Sequence, residues 1–419
     1  MRSAVIGAGI AGLAAAHTLQ QWAQVTLFEA QNRLGGHTDT HAILAGGRSY
    51  PVDSGFMAWD AARSPGFGAW LDELGVVAHS AELDLGIHHV PTGLEYCTRS
   101  IGALLCQPRN LGSPRFVNLL RELVRFYLTA LPVADDDARP LSAFLDAHGF
   151  SRSFRELHLL PVCRALWSVD AGTALTLPAA EAVPRLVRQR LLPVGTRPEW
   201  RVIQGGARSY VDAFVTRFSG RICRGEAVRA ISRPPGRVVV TTASGRQVFD
   251  AVVIACHSHE ALALLEDPSR EERQVLGSLR FETSRRVVHS DPRVMPRNRN
   301  AWAAWNARIG GLGSGRCELT FWMNRLLSLP DHTPMFVTLD PEEPLDNVWS
   351  TREYSTPVLD DRARAAQRRH DDVSGLRNTW YCGAWWGDGM QEDGFSSGVA
   401  VAAALARAAS EVPSARASG

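Results

Sequence analysis

Six residues constrain this chain more than any others: GAGIAG, positions 7–12, set between the apolar run SAVI (3–6) and the helix-forming run LAAAHTLQQW. A second apolar run, VTLF (25–28), follows within about thirty residues, so the opening reads strand, helix, strand. In this context Gly7 permits a tight turn. Gly9 lets the main chain approach a pyrophosphate, and Gly12 lets helix and strand pack closely. Ile10 and Ala11 open the helix, whose N-terminal amides and partial positive charge suit phosphate. Glu29 ends the second strand at the spacing expected of an acid that binds ribose hydroxyls, with Ala30 just beyond it. Arg33, Gly35 and Gly36 extend the phosphate cradle past the first loop, more than a simple NAD site needs.

The rest of the pattern predicts an α/β protein. A strand and turn are expected at 48–56 and a helix at 67–75. A buried helix is expected at 113–131, and two more at 141–150 and 153–168, the last interrupted near Pro161. A hairpin turning at Ser244–Gly245 leads to the strand VVIA, 252–255; further strands fall at 319–323 and 335–339. The chain closes as strand, glycine-rich loop and helix, with a polar tail over 411–419. These elements predict a Rossmann-type dinucleotide-binding domain in three pieces, 1–75, 200–270 and 375–410, with an inserted mixed α+β substrate domain from 76–199 and 271–374.

Composition narrows the function. A net charge of +2 offers no bulk attraction to nucleic acid. All 45 basic residues are arginine, so no lysine base or Schiff base can form. Seven scattered cysteines without a C-x-x-C suggest neither a disulfide frame nor a metal site, and point to a reducing, cytoplasmic setting. His88 and His89 are adjacent and would alternate faces on a strand, which argues against joint metal ligation.

The run E-x-x-x-R-x-G-G resembles the FAD site of glutathione-reductase-type flavoproteins, the amine oxidase superfamily above all. VIQGGARSYVDAF (202–214), VVIA and the glycine-rich end extend the resemblance over nearly the whole chain. A closer resemblance is to a bacterial family described as predicted NAD/FAD-binding proteins. It rests on RLGGHT (33–38), PVDSGF (51–56), RNLGSPRF (109–116), WMNRL (322–326) and GMQEDGFSSG (389–398). Met390 and Gln391 stand where those relatives tend to carry an aromatic residue and a histidine.

The resemblance implies non-covalent FAD. Val228 would meet the adenine through its backbone, and Ser54, Gly55 and Phe56 would pass near the flavin ring. Gly383, Gly394, Phe395 and Ser396 belong to the final loop and helix, which would start near Ser396–Ser397. Glu392 or Asp393 would hold the ribityl chain or serve as a plain loop acid. Trp385 and Trp386 would wall the space before the flavin, and Asp53 is either a catalytic acid or a buried cap. The relatives include fatty-acid isomerases and carotenoid desaturases. The implied activity is hydride exchange between flavin N5 and a small, hydrophobic, unsaturated or acyl-type substrate, by dehydrogenation or isomerisation. Amine or amino-acid oxidation and a non-catalytic light or redox sensor are the alternatives. Arginine-rich helical stretches at 115–128 and 183–192 leave open peripheral contact with the inner membrane surface.

Overall fold

A computed structural model describes all residues except 135, 136, 138, 168, 169, 193, 194, 196, 312–316 and 412–419. The expected tail falls outside the described residues from 412 onward. Arg2–Ile6 and Gln24–Glu29 are strands joined by the helix Ile10–Leu19. They lie in a five-stranded parallel sheet, in the order 221–224, 24–29, 2–6, 251–254 and 379–381. Both faces of this sheet are covered, which is why its inner strands read as continuous apolar runs rather than alternating ones.

One face carries the first helix and the closing helix Gln391–Glu411, packed against each other. The first helix is rich in alanine and buried on nearly every side, as its sequence predicts for an element enclosed by a core. Gly398 in the closing helix is the contact point: a Cβ there would overlap the carbonyl oxygen of Ala11 and lie 3.0 Å from the amide nitrogen of Ala15. The other face is covered by a three-stranded meander, Ala230–Ser232, Val238–Thr242 and Gly245–Phe249, and by helices Ser258–Leu264, Arg270–Leu276 and Asp361–Gln367.

A second, seven-stranded sheet runs in the order 348–358, 280–289, 336–339, 317–322, 305–309, 85–89 and 94–97. Its largest core forms with the helices Pro114–Ala134, Leu141–Ala147, Leu160–Trp167 and Ala179–Arg188. The hairpin Thr40–Ala45 with Arg48–Asp53 places the segment after the double glycine beside this sheet.

The interruption expected near Pro161 takes the form of a change of helix type rather than a break. The chain runs through a π-helical stretch, Arg155–Leu159, into the helix Leu160–Trp167. Pro161 cannot donate to the carbonyl four residues back. The hydroxyl of Tyr96 donates to that carbonyl, Leu157 O, at 2.9 Å, so the missing bond is replaced from another element.

Helix propensity alone favours alanine over glycine by about 1 kcal/mol. Gly398→Ala should nevertheless destabilise the protein, by about 1–3 kcal/mol, because its methyl group meets backbone atoms of the first helix. Urea unfolding of the two proteins checks the sign.

Candidate functional site

The two glycine loops meet. The amide of Gly35 donates to Ala8 O at 2.8 Å, and Gly9 and Gly35 form an isolated parallel bridge. Gly35 and Gly36 both have positive φ, 113° and 57°. A Cβ on Gly36 would lie 3.1 Å from the Cα of Gly9, so bulk at this position would force the loops apart. A Cβ on Gly9, by contrast, would meet nothing within 4 Å: it would project into an open groove. The first helix starts at this groove with no side-chain cap and no acid in its first turn, leaving its positive end uncompensated.

Glu29 closes one end. Its two oxygens accept from the amides of Ala8 and Gln31, each at 2.9 Å, and each keeps a lone pair for a further donor. The amide of Glu226 donates to Glu29 O at 2.9 Å and brings Val228 alongside. Among the described residues neither the N–H nor the C=O of Val228 has a partner, as backbone recognition of a base would require. Ala30 is exposed at the same edge. Arg33 braces the loop, donating to Gly36 O at 2.8 Å and Thr38 O at 3.2 Å, with Asp39 at 3.5 Å.

The closing helix begins at Gln391, earlier than the Ser396–Ser397 start expected from the sequence. Asp393 explains this: its carboxylate accepts from the amides of Asp388 (3.0 Å) and Met390 (2.9 Å) and caps the helix. Ser396 therefore lies a turn inside, its hydroxyl on Glu392. Glu392 accepts from the amides of Gly66 (3.1 Å) and Phe67 (2.8 Å) at the start of the helix Pro65–Leu74. Both acids weighed for the ribityl chain thus hold backbone. A Cβ on Gly394 would lie 2.6 Å from Ile10, so two helix N-termini, at Ile10 and Gln391, stand side by side over one groove. The Phe395 ring packs on Trp70, centroids 5.4 Å apart.

Segment 53–56 docks on segment 37–40 through Ser54 N–H to Asp39 O (3.0 Å) and Phe56 N–H to His37 O (2.7 Å). A Cβ on Gly55 would overlap the carbonyl of His37, and the Phe56 ring packs edge-on against Phe67. Arg286 reaches from the seven-stranded sheet and donates to the carbonyls of Ser54 (3.0 Å) and Gly55 (2.7 Å). Tyr354 donates to Asp39 at 3.1 Å, and Ser54 Oγ lies 2.6 Å from its hydroxyl and 2.7 Å from His41 Nε2. Because the Tyr354 proton is spent on Asp39, Ser54 donates to Tyr354 and His41 donates to Ser54, which fixes the His41 tautomer. Burial, then the neighbouring His257, Arg286 and Arg33, push the His37 imidazole down to about 3; it is neutral at ordinary pH and a weak base.

The three catalytic candidates, Asp53, Trp385 and Trp386, each have partners within the protein. Asp53 is fully buried and accepts from Thr40 Oγ1 (2.5 Å) and the Ala207 amide (3.0 and 3.1 Å) at the head of the helix Arg208–Arg217; it is a cap. Trp385 is buried with the core on the meander face of the parallel sheet, its indole N–H donating to Cys256 O at 3.1 Å. Trp386 packs against that same core and edge-on against His370. Gly383 explains the turn between them and the strand: a Cβ there would overlap the Trp385 indole. The structural contributors that sequence reasoning missed are Arg286, Tyr354 and Tyr210. Tyr210 Oη lies 2.6 Å from Thr38 Oγ1 and accepts from Gln391 at 3.2 Å. Only Tyr210 carried a signal, inside the motif VIQGGARSYVDAF.

The groove fits an adenine dinucleotide: open space at Gly9, the uncapped N-terminus of the first helix for phosphate, a carboxylate with spare lone pairs for a ribose. The family described as flavin containing amine oxidoreductase matches residues 10–380. Three solved structures share the fold. Cyclohexylamine oxidase from Brevibacterium oxydans IH-35A is 18% identical over 98% of this chain and 99% of its own, with a TM-score of 0.70. A candidate protoporphyrinogen oxidase from Exiguobacterium sp. 255-15 is 15% identical over 96% and 98%, also at 0.70. A CLA-producing fatty acid isomerase from P. acnes is 16% identical over 97% and 98%, at 0.68.

Removing the Glu29 charge should weaken dinucleotide retention by roughly tenfold to a hundredfold, the worth of a hydrogen bond to a charged group. Gel filtration of Glu29→Gln followed by absorbance of the retained flavin checks this. Asp53 supplies a pH test. Burial pushes its carboxyl from 3.8 up to about 7, against the pull of its hydrogen bonds from Thr40 and Ala207. The folded chain then holds a proton that the unfolded chain has released. Stability from this group is complete below 3.8 and is lost as pH rises to about 7. Asp53→Asn should flatten that decline in urea melts taken across the interval.

Proposed function

The chain belongs to the flavin-containing amine oxidoreductases and is an FAD-dependent oxidoreductase, and we propose that its substrate is an apolar unsaturated or acyl compound, dehydrogenated or isomerised. Bound FAD supplies the hydride acceptor at its N5. The residues around Gly9, Glu29 and the closing helix hold and orient the dinucleotide, and substrate selection is left to the walls beyond.

One observation carries the reading. A narrow apolar cleft of about 20 Å³, widening into solvent, is lined by Trp167, Leu177, Pro178, Ala182 and Pro357–Leu359, with Glu181 and Arg185 at its polar end. It adjoins the loop that leads into the closing helix. A Cβ on Gly389 would lie 3.4 Å from Pro357. Arg185 pairs with Asp388, and Arg364 bridges Asp388 (3.1 Å) and Glu181 (2.6 Å). Among the described residues the charges lining the cleft, Glu181 and Arg185, are thus paired within the protein, which favours an uncharged group over an ammonium against it. The fatty acid isomerase among the similar folds is in keeping with this.

The test is anaerobic mixing of the holoprotein with unsaturated fatty acids and, separately, with primary amines. Flavin absorbance and product chromatography are both followed, because an isomerisation leaves no net bleaching. Acyl conversion without amine conversion is expected. Amine-dependent bleaching with peroxide on admission of oxygen would replace this reading with amine oxidation. Leu177→Trp, which fills the cavity, should lower acyl turnover by roughly tenfold or more while leaving the flavin spectrum unchanged.

A further inference from the structure

The helix Pro114–Ala134 buries Phe116, Leu119, Leu123, Phe126 and Tyr127 in the largest core, against the helix Ala179–Arg188. Its outer face is not polar. Val117, Val124 and Leu128 are 41%, 49% and 69% exposed, and with Arg121 their spacing of four, three and four places them on one stripe. The stripe is about 16 Å long. Leu111, in the turn that leads into the helix, is 50% exposed, and Ile101, in the short helix before it, is 58% exposed.

The charges beside these residues have one sign. Residues 99–129 contain Arg99, Arg109, Arg115, Arg121 and Arg125 and a single acid, Glu122. Glu122 is buried and accepts from Ser151 N (2.7 Å) and Oγ (2.5 Å). Arg115 and Arg121 are exposed, with no carboxylate within 4.0 Å among the described residues. Arg125 is held, lying 4.0 Å over the Phe150 ring and donating to His148 O.

A protein partner would be expected to find aromatic anchors at such a face. The exposed residues here are aliphatic, flanked by free guanidinium groups, which is the pairing an interfacial helix presents to acyl chains and phosphates. No helix among the described residues is long and apolar enough to cross a membrane, so contact would be at the surface. We propose that this face seats the protein on an anionic lipid bilayer, with Val117, Val124 and Leu128 among the acyl chains and Arg115 and Arg121 at the phosphates. The helix Ala179–Arg188, which lines the apolar cavity, packs directly beneath; that link to catalysis rests on the acyl-substrate reading, whereas the docking itself does not.

Flotation of the holoprotein with vesicles of phosphatidylcholine and phosphatidylglycerol in equal parts, against phosphatidylcholine alone, tests it. Binding to the anionic vesicles is expected, falling as salt is raised. Arg115→Gln/Arg121→Gln should weaken it by roughly tenfold or more. Val124→Glu/Leu128→Glu should abolish it, with flavin spectrum and thermal midpoint unchanged in both variants. Failure to bind, or binding that the substitutions leave intact, overturns the proposal. So does a dimer in sedimentation that Val124→Glu/Leu128→Glu dissociates, which would assign the face to a second copy. Vesicle binding without acyl conversion would remove the substrate reading and leave the docking standing; acyl conversion in micelles without vesicle binding would do the reverse.

Discussion

The structure hangs on a backbone contact: Gly35 lying against Ala8 and Gly9, with the Glu29 carboxylate tying the same turn from the other side. A side chain at Gly36 would press on the Cα of Gly9 at 3.1 Å and hold the loops apart. Because the loops meet, the chain leaving the second glycine pair is delivered at a fixed angle into the hairpin at 40–53, and segment 53–56 can dock on it. Arg286 and Tyr354 from the seven-stranded sheet then find the carbonyls of Ser54 and Gly55 and the side chain of Asp39 in place. The joint between the nucleotide-binding sheet and the second sheet is thus set by glycine geometry before any side-chain packing refines it.

The parts legible in the sequence are those whose chemistry is local. The strand–helix–strand opening, Glu29 at the end of its strand and the turn at Ser244–Gly245 each depend on residues a few positions apart, and each stands where the pattern predicts. The parts that pattern leaves open depend on which way a loop faces. Trp385 and Trp386 follow a strand and precede a helix, which says nothing of whether their rings turn toward the groove or back under the sheet. Gly383, by allowing the Trp385 indole to fold against it, decides for the sheet. Asp53 could have been a cap or a catalytic group; the helix head that claims it lies 154 residues away. The start of the closing helix is hidden for a nearer reason: its serines lie a turn inside, and Asp393 reaches back to the amide of Met390 ahead of them.

The acids of the final loop show how a cofactor site can be built from residues that need not touch the cofactor. Asp393 and Glu392 are adjacent, yet one caps its own helix and the other caps Pro65–Leu74. Asp388, a few residues earlier, is shared by Arg185 and Arg364. Three carboxylates therefore fix the loop between the cavity and the groove. In a chain without lysine, the cations that answer Asp388 are both guanidinium groups, able to bridge two acids at once as Arg364 does.

The five-stranded sheet draws its edge strand from 379–381, and the helix that lies along the first helix comes from Gln391–Glu411. The first helix therefore meets this partner only across most of the sequence, and such long-range contacts form slowly. The dinucleotide groove lacks its second wall until that contact is made. Cofactor loading is thereby tied to a long-range step of folding, and a chain stalled before it would leave the first helix with a bare apolar flank that invites aggregation or proteolysis.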